Sequence, residues 1–229
     1  MTSRAALFFD LDGTLVDSDA KHLAAFQRVF ASHGIAVDQT TYERDIHGAS
    51  NDSIGRVFLS HLTIEQRRAV LDDKEAAYRS DVIDVEPVTG AVALLDFADR
   101  RGLERAVVTN APRANAEKVL SALGLELRFP IVVVGSELAR SKPDPLPYVT
   151  GLALTRALAS RSVAFEDSPS GVCAAAAAGL AVVGLTTTLD AAVLLRAGAT
   201  IAANDFTDPR IFALIEKRIR TSCSAEARL

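Results

Sequence analysis

The sequence predicts a doubly wound α/β protein: a parallel sheet covered by helices on both faces, with an α-helical cap inserted into it. Two patterns point there. Short apolar runs with little alternation of polar and apolar residues recur along the chain, as strands buried on both faces do. Helix-period stretches separate them, the arrangement of successive β-α-β units. A third observation supplies the cap, because residues 18–86 show helical periodicity and little strand signal. With 229 residues, 49% of them hydrophobic and 24% charged, the chain can bury a sizeable core and carry a substantial insertion. The core is expected over residues 1–17 and 87–229, and the cap over 18–86.

The first strand is Ala5 to Phe9, ending in the polar turn of "FFDLDGTLVD". Two apolar stripes then mark the helical segment, one of Leu23, Phe26, Val29 and Phe30, the other of Ile54, Val57, Phe58 and Leu62. After Pro87 comes a helix near Gly90 to Arg101, the strand Arg105 to Thr109, a helix near Asn115 to Leu123 and the strand Ile131 to Val134. A helix near Leu146 to Leu158, the strand Ser162 to Glu166, an alanine-rich helix to Ala178 and the strand Ala181 to Leu185 complete the pattern. The alanine run Ala174 to Ala178 reads as close helix packing.

In a sheet of this kind ligands bind beyond the carboxyl ends of the strands. Four such ends are polar: Asp10 and Asp12, then Thr109 and Asn110, then the loop "RSKPDP" with Lys142, and finally Glu166 and Asp167. Each has a structural explanation taken alone. Asp12 and Gly13 form an ordinary turn pair, Asn110 is a turn residue, Glu166 and Asp167 could begin a helix, and Lys142 could flank one at the surface. Together they read as a site. Asp10 and Asp12, two positions apart on a strand, point to one face, where unpaired carboxylates would repel unless a cation lies between them.

The order "DLDGT", "VVTN", "SKPDP", "FEDS" resembles the four motifs of the haloacid dehalogenase superfamily of phosphatases, over nearly the whole chain. The helical insertion resembles the cap of the branch containing beta-phosphoglucomutase and phosphoglycolate phosphatase. Within it, "DKEAAYR", "VVTNAPRANAEKVLSALGL" and "FEDSPSG" are most similar to broad-specificity sugar phosphatases. The resemblance implies a Rossmann-like core and Asp10 as a nucleophile that forms an aspartyl-phosphate. It implies Asp12 as general acid and base, Thr109 and Asn110 as donors to the phosphoryl oxygens, and Lys142 as a charge that tethers the acidic groups. The residue chemistry agrees, since a carboxylate nucleophile divides a hard displacement into two steps and an alkoxide leaving group needs a proton. A hard cation, Mg2+, is expected on Asp10, the backbone carbonyl of Asp12 and Asp167, with Glu166 bound directly or through water. Family members that displace halide lack an acid at the position of Asp12, so dehalogenation is not expected.

In the cap, His22 stands where similar proteins face the catalytic mouth. The segment "HGASNDS", His47 to Ser53, has the composition of a loop that closes on substrate, with Asn51 its best contact, and Lys74 could reach a distal substrate oxygen. The alternatives are a surface histidine, a helix-to-helix turn capped by Asn51 or Asp52, and a solvated helix lysine. His33, His61 and Tyr42 carry no signal. The expected activity is Mg2+-dependent hydrolysis of a small phosphorylated sugar or related metabolite. A sugar phosphomutase is the alternative, and a metabolite sensor on the same fold a third reading. Mutases of that type carry a basic pair around the glycine-led loop, where this chain has His47 and Asn51.

A formal net charge of -4 gives no footprint for nucleic acid, and no apolar stretch is long enough to span a membrane. Cys173 and Cys223 form neither a disulfide framework nor a zinc spacing. A reducing, cytoplasmic setting without a signal peptide is expected, as is a monomer or weak homodimer.

Overall fold

The computed structural model describes residues 4–220. Strand β1 (Ala6–Phe9) is followed by α1 (Asp19–Ala31), by a short α2 (Gln39–Thr41) that runs into a π-helical stretch over Tyr42–Ile46, by α3 (Asn51–Phe58) and by α4 (Ile64–Asp81). Alternation then sets in: α5 (Ala91–Arg101), β2 (Glu104–Thr109), α6 (Arg113–Ala122), β3 (Val132–Val134), α7 (Leu146–Thr155) and β4 (Val163–Glu166). The described chain closes with α8 (Pro169–Ala177), β5 (Ala181–Leu185), α9 (Ala191–Ala197), β6 (Ile201–Ala203) and α10 (Pro209–Arg220).

All strand pairs are parallel, in the order β3-β2-β1-β4-β5-β6. The two faces of β1 explain its unbroken hydrophobicity. Leu7 and Phe9 enter a core shared with Leu94 and Leu95 of α5, Val119 and Leu120 of α6, and Ile211 and Ile215 of α10. Ala6 and Phe8 enter a second core with Tyr148 of α7, Val172 and Ala175 of α8, and Leu194 of α9. Both faces are dry, so no position could be polar without an internal partner. The winding reverses where β1 lies between β2 and β4, which opens a crevice beyond their carboxyl ends.

The helical segment leaves and rejoins the sheet domain at one place. Val16 bridges Pro87, and the Val88 amide donates to Leu15 O at 2.9 Å. A third core of Phe26, Phe30, Tyr42, Ile46, Ile54, Leu59, Val70 and Leu71 holds α1 to α4 together. Helix α4 starts at a reciprocal cap, in which the Thr63 hydroxyl accepts from Gln66 N and the Gln66 side chain accepts from Thr63 N. Its buried positions Lys74 and Glu75 line the cavity at the crevice, and Tyr78 reaches Asp12 beside it.

Several details depart from the sequence expectation. Val57 points out of the helical segment, 63% exposed, while Ile54 of the same stripe is buried. Helix α7 stops at Thr155 because Arg156 turns left-handed, with φ 54; Ala157 bridges Arg4 where the anticipated final turn would be, and a 3-10 turn over Ala159–Arg161 follows. Helix α6 begins at Arg113, ahead of Asn115. Elements α9, β6 and α10 lie beyond the last strand read from the sequence. Cys173 is exposed and unpaired, and Cys223 lies outside the described residues. Among the described residues no helix is long and apolar enough to cross a membrane.

Candidate active site

Asp10 stands one residue past β1, its backbone amide held by Phe165 O of β4 at 3.0 Å. That bond sets β1 and β4 in register and brings Asp10 beside Glu166 and Asp167. The Lys142 ammonium donates to Asp10 Oδ1 at 2.9 Å and to Glu166 Oε1 at 2.6 Å, and is itself buried. Tyr148 of α7 donates a short hydrogen bond to the same Glu166 oxygen. Thr14 donates to Asp167 Oδ1 at 3.1 Å, and His47 Nε2 lies 2.8 Å from Asp167 Oδ2. Gly13 permits this crowding. Its φ is +72°, and a Cβ there would lie 1.9 Å from Asp167 Oδ2.

Asp12 sits under the helical segment. Ser18 Oγ donates to its Oδ1 at 2.7 Å, Tyr78 Oη of α4 at 2.8 Å, and His22 Nε2 of α1 lies 3.1 Å away. The His22 ring stacks on Tyr78 with centroids 3.7 Å apart. On the opposite rim Thr109 Oγ1 accepts from the Ala111 amide at 2.9 Å, which leaves its own proton to donate elsewhere. Both hydrogens of the Asn110 side-chain amide go to carbonyls, those of Gly48 and Lys142, each at 3.3 Å. Asn110 Oδ1 accepts from the Lys142 amide at 3.2 Å. Asn110 therefore splints the lysine loop to the loop that follows His47.

Burial dominates the electrostatics. It raises Asp10 to about 6 despite Lys142, with Asp167 adding to the effect, and raises Glu166 to about 8 against the same lysine. Burial would also raise Asp12, but His22, Ser18 and Tyr78 outweigh it and hold this carboxyl well below the usual range. His47 moves the other way. Burial disfavours its charge, yet Asp167 and then Asp19 push it up to about 9, so it is an imidazolium at neutral pH.

Carboxylate oxygens of Asp10, Glu166 and Asp167 lie within 4.8 Å of one another, and Glu166 Oε2 is buried with no hydrogen-bond partner. Three acids face one lysine, with His47 at the rim. An acidic cluster of this kind, with an oxygen left over, fits a hard cation. Asp19, His47 and Asp167 form a second such grouping that shares Asp167.

One cavity collects nearly every residue singled out in the sequence: Asp10, Asp12, Thr109, Asn110, Lys142 and Asp167 from the sheet domain, His22, His47, Asn51 and Lys74 from the helical segment. Glu166 lies beneath it, completely buried. Lys74 is not a solvated helix residue. It is buried, 2.6 Å from Glu75 Oε1 and 4.3 Å from the centroid of the Phe26 ring. His33 and His61 are exposed and remote from the cavity. Tyr42, silent in the sequence, lines it and donates to Asp19 Oδ1 at 2.9 Å. Sequence reasoning also missed Ser18, Tyr78, Tyr148 and Glu75. A usable signal existed for Tyr78, which is spaced i, i+4 from the already singled-out Lys74 on one helix face in "DKEAAYR".

Fold and site together define a hydrolase with an acidic centre at the switch point of a parallel sheet. Residues 7–185 match the model of the haloacid dehalogenase-like hydrolase family, and the chain belongs to that family. It is 35% identical over 208 residues to validoxylamine A 7'-phosphate phosphatase of Streptomyces hygroscopicus subsp. limoneus, covering 88% of this chain and 94% of that protein. It is 30% identical to the phosphorylated carbohydrates phosphatase of Thermotoga maritima, covering 85% of this chain and 91% of the relative. Among solved structures, a mutant of CbbY from Rhodobacter sphaeroides in complex with xylulose-(1,5)bisphosphate superposes with a TM-score of 0.78 at 26% identity, over 90% of this chain and 96% of that one.

Proposed function

We propose that this phosphatase hydrolyses monoesters of small phosphorylated sugars or related metabolites through an aspartyl-phosphate on Asp10. The observation that carries the reading is the convergence of Asp10, Glu166, Asp167 and Lys142 at the switch point, with Asp12 two residues on and covered by the helical segment. The relatives named for phosphorylated carbohydrates support the substrate class.

A carboxylate oxygen of Asp10 attacks phosphorus. The bond from phosphorus to the sugar oxygen breaks, and that oxygen takes the proton of Asp12. Water then attacks phosphorus, Asp12 receives its proton, and the bond to Asp10 breaks to free phosphate and the carboxylate. The three donors on Asp12 Oδ1 keep it ionised before substrate arrives, the form that accepts a proton from water. A phosphoester that docks as its monoanion brings a proton with it; the negative charge beside Asp12 raises that carboxylate's proton affinity, so the proton passes to Asp12 and is the one given to the leaving oxygen in the first step. Thr109 has a hydroxyl proton free for a phosphoryl oxygen, and Lys142 supplies fixed positive charge. Asn110 acts by holding the lysine loop.

Asp10, the backbone carbonyl of Asp12 and Asp167, with Glu166 directly or through water, would hold Mg2+, which supplies charge neutralisation between these carboxylates and the phosphoryl oxygens. Residues 18–86 act as the cap, and His22, His47, Asn51 and Lys74 face the substrate from it.

The test is phosphate release from a panel of phosphosugars, phosphoglycolate, glycerol phosphates and nucleotides, with Mg2+ or with chelator. Asp10→Asn should lower turnover by several powers of ten with the fold intact. Substantial turnover by that variant overturns the nucleophile, and full activity in excess chelator overturns the metal. With a hexose 1-phosphate and catalytic bisphosphate, isomer formation outpacing phosphate release would establish the mutase instead.

A further inference from the structure

Asn115 is a fully buried polar side chain on α6 of the sheet domain, and both of its partners belong to the helical segment. Its Nδ2 donates to Glu75 Oε2 at 2.6 Å, and its Oδ1 accepts from Arg79 Nη1 at 2.8 Å. Glu75 and Arg79 lie one turn apart on α4, so the amide is clamped between a carboxylate and a guanidinium. Only one amide orientation works, since reversal would set oxygen against oxygen and nitrogen against nitrogen. The other oxygen of Glu75 faces the cavity side, accepting from Asn51 Nδ2 at 2.8 Å and lying 2.6 Å from Lys74 Nζ. Glu75 is 3% exposed and ionised, because burial is outweighed by Lys74, His22 and Asn51. None of these groups belongs to the acidic cluster around Asp10.

We propose that Asn115 is a positioning residue, a latch on the sheet domain that grips Glu75 and so sets Lys74 and Asn51 over the bound phosphosugar only when the helical segment is docked. The inference rests on the functional reading above for what the cavity holds, but the latch itself does not. Alone, Lys74 and Asn51 sit on two different helices, and the shared Glu75 oxygen fixes their separation. Asn115 fixes Glu75 in turn. Docking and substrate placement thus become one event.

The experiment is a partner exchange in the full-length protein. Glu75→Gln places an amide donor against the Asn115 donor, and Asn115→Asp places a carboxylate against Glu75. The double variant Glu75→Gln/Asn115→Asp restores the pattern with the charge moved: Gln donates to Asp, Asp pairs with Arg79, and the Gln carbonyl still accepts from Asn51 and Lys74. Spin labels at the exposed positions Val57 and Leu127, with both native cysteines replaced by serine, report docking as an interlabel distance. The wild type should give one short, narrow distribution, each single variant a longer or broader one, and the double variant the wild-type distribution again. The kcat/KM for the best phosphosugar should fall about tenfold or more in each single variant, the scale of a lost charged hydrogen bond, and recover to within a few fold in the double. If Asn115→Asp does not fold, Asn115→Ala removes both bonds without adding charge and should lengthen the distance likewise. Single variants with unchanged distances, or a double variant no closer to wild type than the singles, overturn the latch. Distances that follow this pattern in a protein that turns over no phosphosugar uphold the latch and overturn the substrate reading.

Discussion

Asp12 receives three donors on a single oxygen, and the division of labour between it and Asp10 follows. One acid is raised by burial among other acids and the other is lowered by donors, which suits two carboxylates two positions apart to the different work proposed for them. Asp12→Asn should slow hydrolysis of alkyl phosphates by roughly 10²- to 10⁴-fold, the range of general acid catalysis, and affect an activated aryl phosphate far less. Steady-state rates on the two substrate types check this, and equal losses would remove Asp12 from the proton path. Removing Tyr78 Oη by Tyr78→Phe should lift the Asp12 pKa, since one donor to the ionised form is gone, and move upward the limb of the pH-rate profile that Asp12 sets. A profile superposable on wild type would show that Tyr78 only packs. Asp10, Asp12, Glu166, Asp167 and Lys142 were legible in the sequence because position at a strand end is a local property. Tyr78 and Tyr148 were not, because each reads locally as an ordinary apolar helix residue and acquires its role from what another element brings to its hydroxyl.

At the scale of elements, the turn after β1 and the loop after the π-helical stretch are built to touch the residues following β4. Gly13 makes room for Asp167, while Gly48, with φ +70°, lies where a Cβ would be 2.5 Å from the Ser168 Cβ. Gly13→Ala combines left-handed strain of about 1 to 2 kcal/mol with a collision on a candidate metal ligand. It should lower the urea midpoint and weaken Mg2+ binding by calorimetry. Gly48→Ala should lower the urea midpoint through the same strain but leave Mg2+ affinity near wild type, because Ser168 is not among the ligands. Matching effects of the two substitutions on Mg2+ would contradict this assignment of Asp167. The strands from β1 to β5 were legible because each is an apolar run bounded by turn residues. Strand β6 has only three residues, two of them alanine, and its identity comes from pairing with β5. The exposure of Val57 was equally hidden, because a helix of eight residues places its apolar face by what α4 covers.

For the whole molecule, a metal held at the acidic centre would couple to stability. Three buried acids with only Lys142 and His47 as cationic partners oppose folding, and a bound cation would relieve that cost. Mg2+ at about 100 times its Kd should stabilise the fold by about 2.7 kcal/mol. Thermal scans with Mg2+ and with chelator measure this, and Asp167→Ala should abolish most of the difference; an equal shift in that variant would place the ion elsewhere. The α/β class and its helical insertion were legible as changes of periodicity, whereas the closeness of the insertion to the site depends on contacts such as Tyr78 to Asp12 that no local pattern encodes. The central position of β1 bears on biosynthesis. Leu7 pairs with Arg105 on one side and with Val163 on the other, so β1 is made before either neighbour and, among the described strands, waits longest to be paired on both sides. At a synthesis rate of about 5–20 residues per second, the apolar stretch from Ala6 to Phe9 waits roughly ten to thirty seconds for β4 to be made. The helices of the insertion emerge next and can bury their own core in that interval, so the nascent chain carries a folded unit beside an unpaired, aggregation-prone strand that a chaperone would be expected to shield.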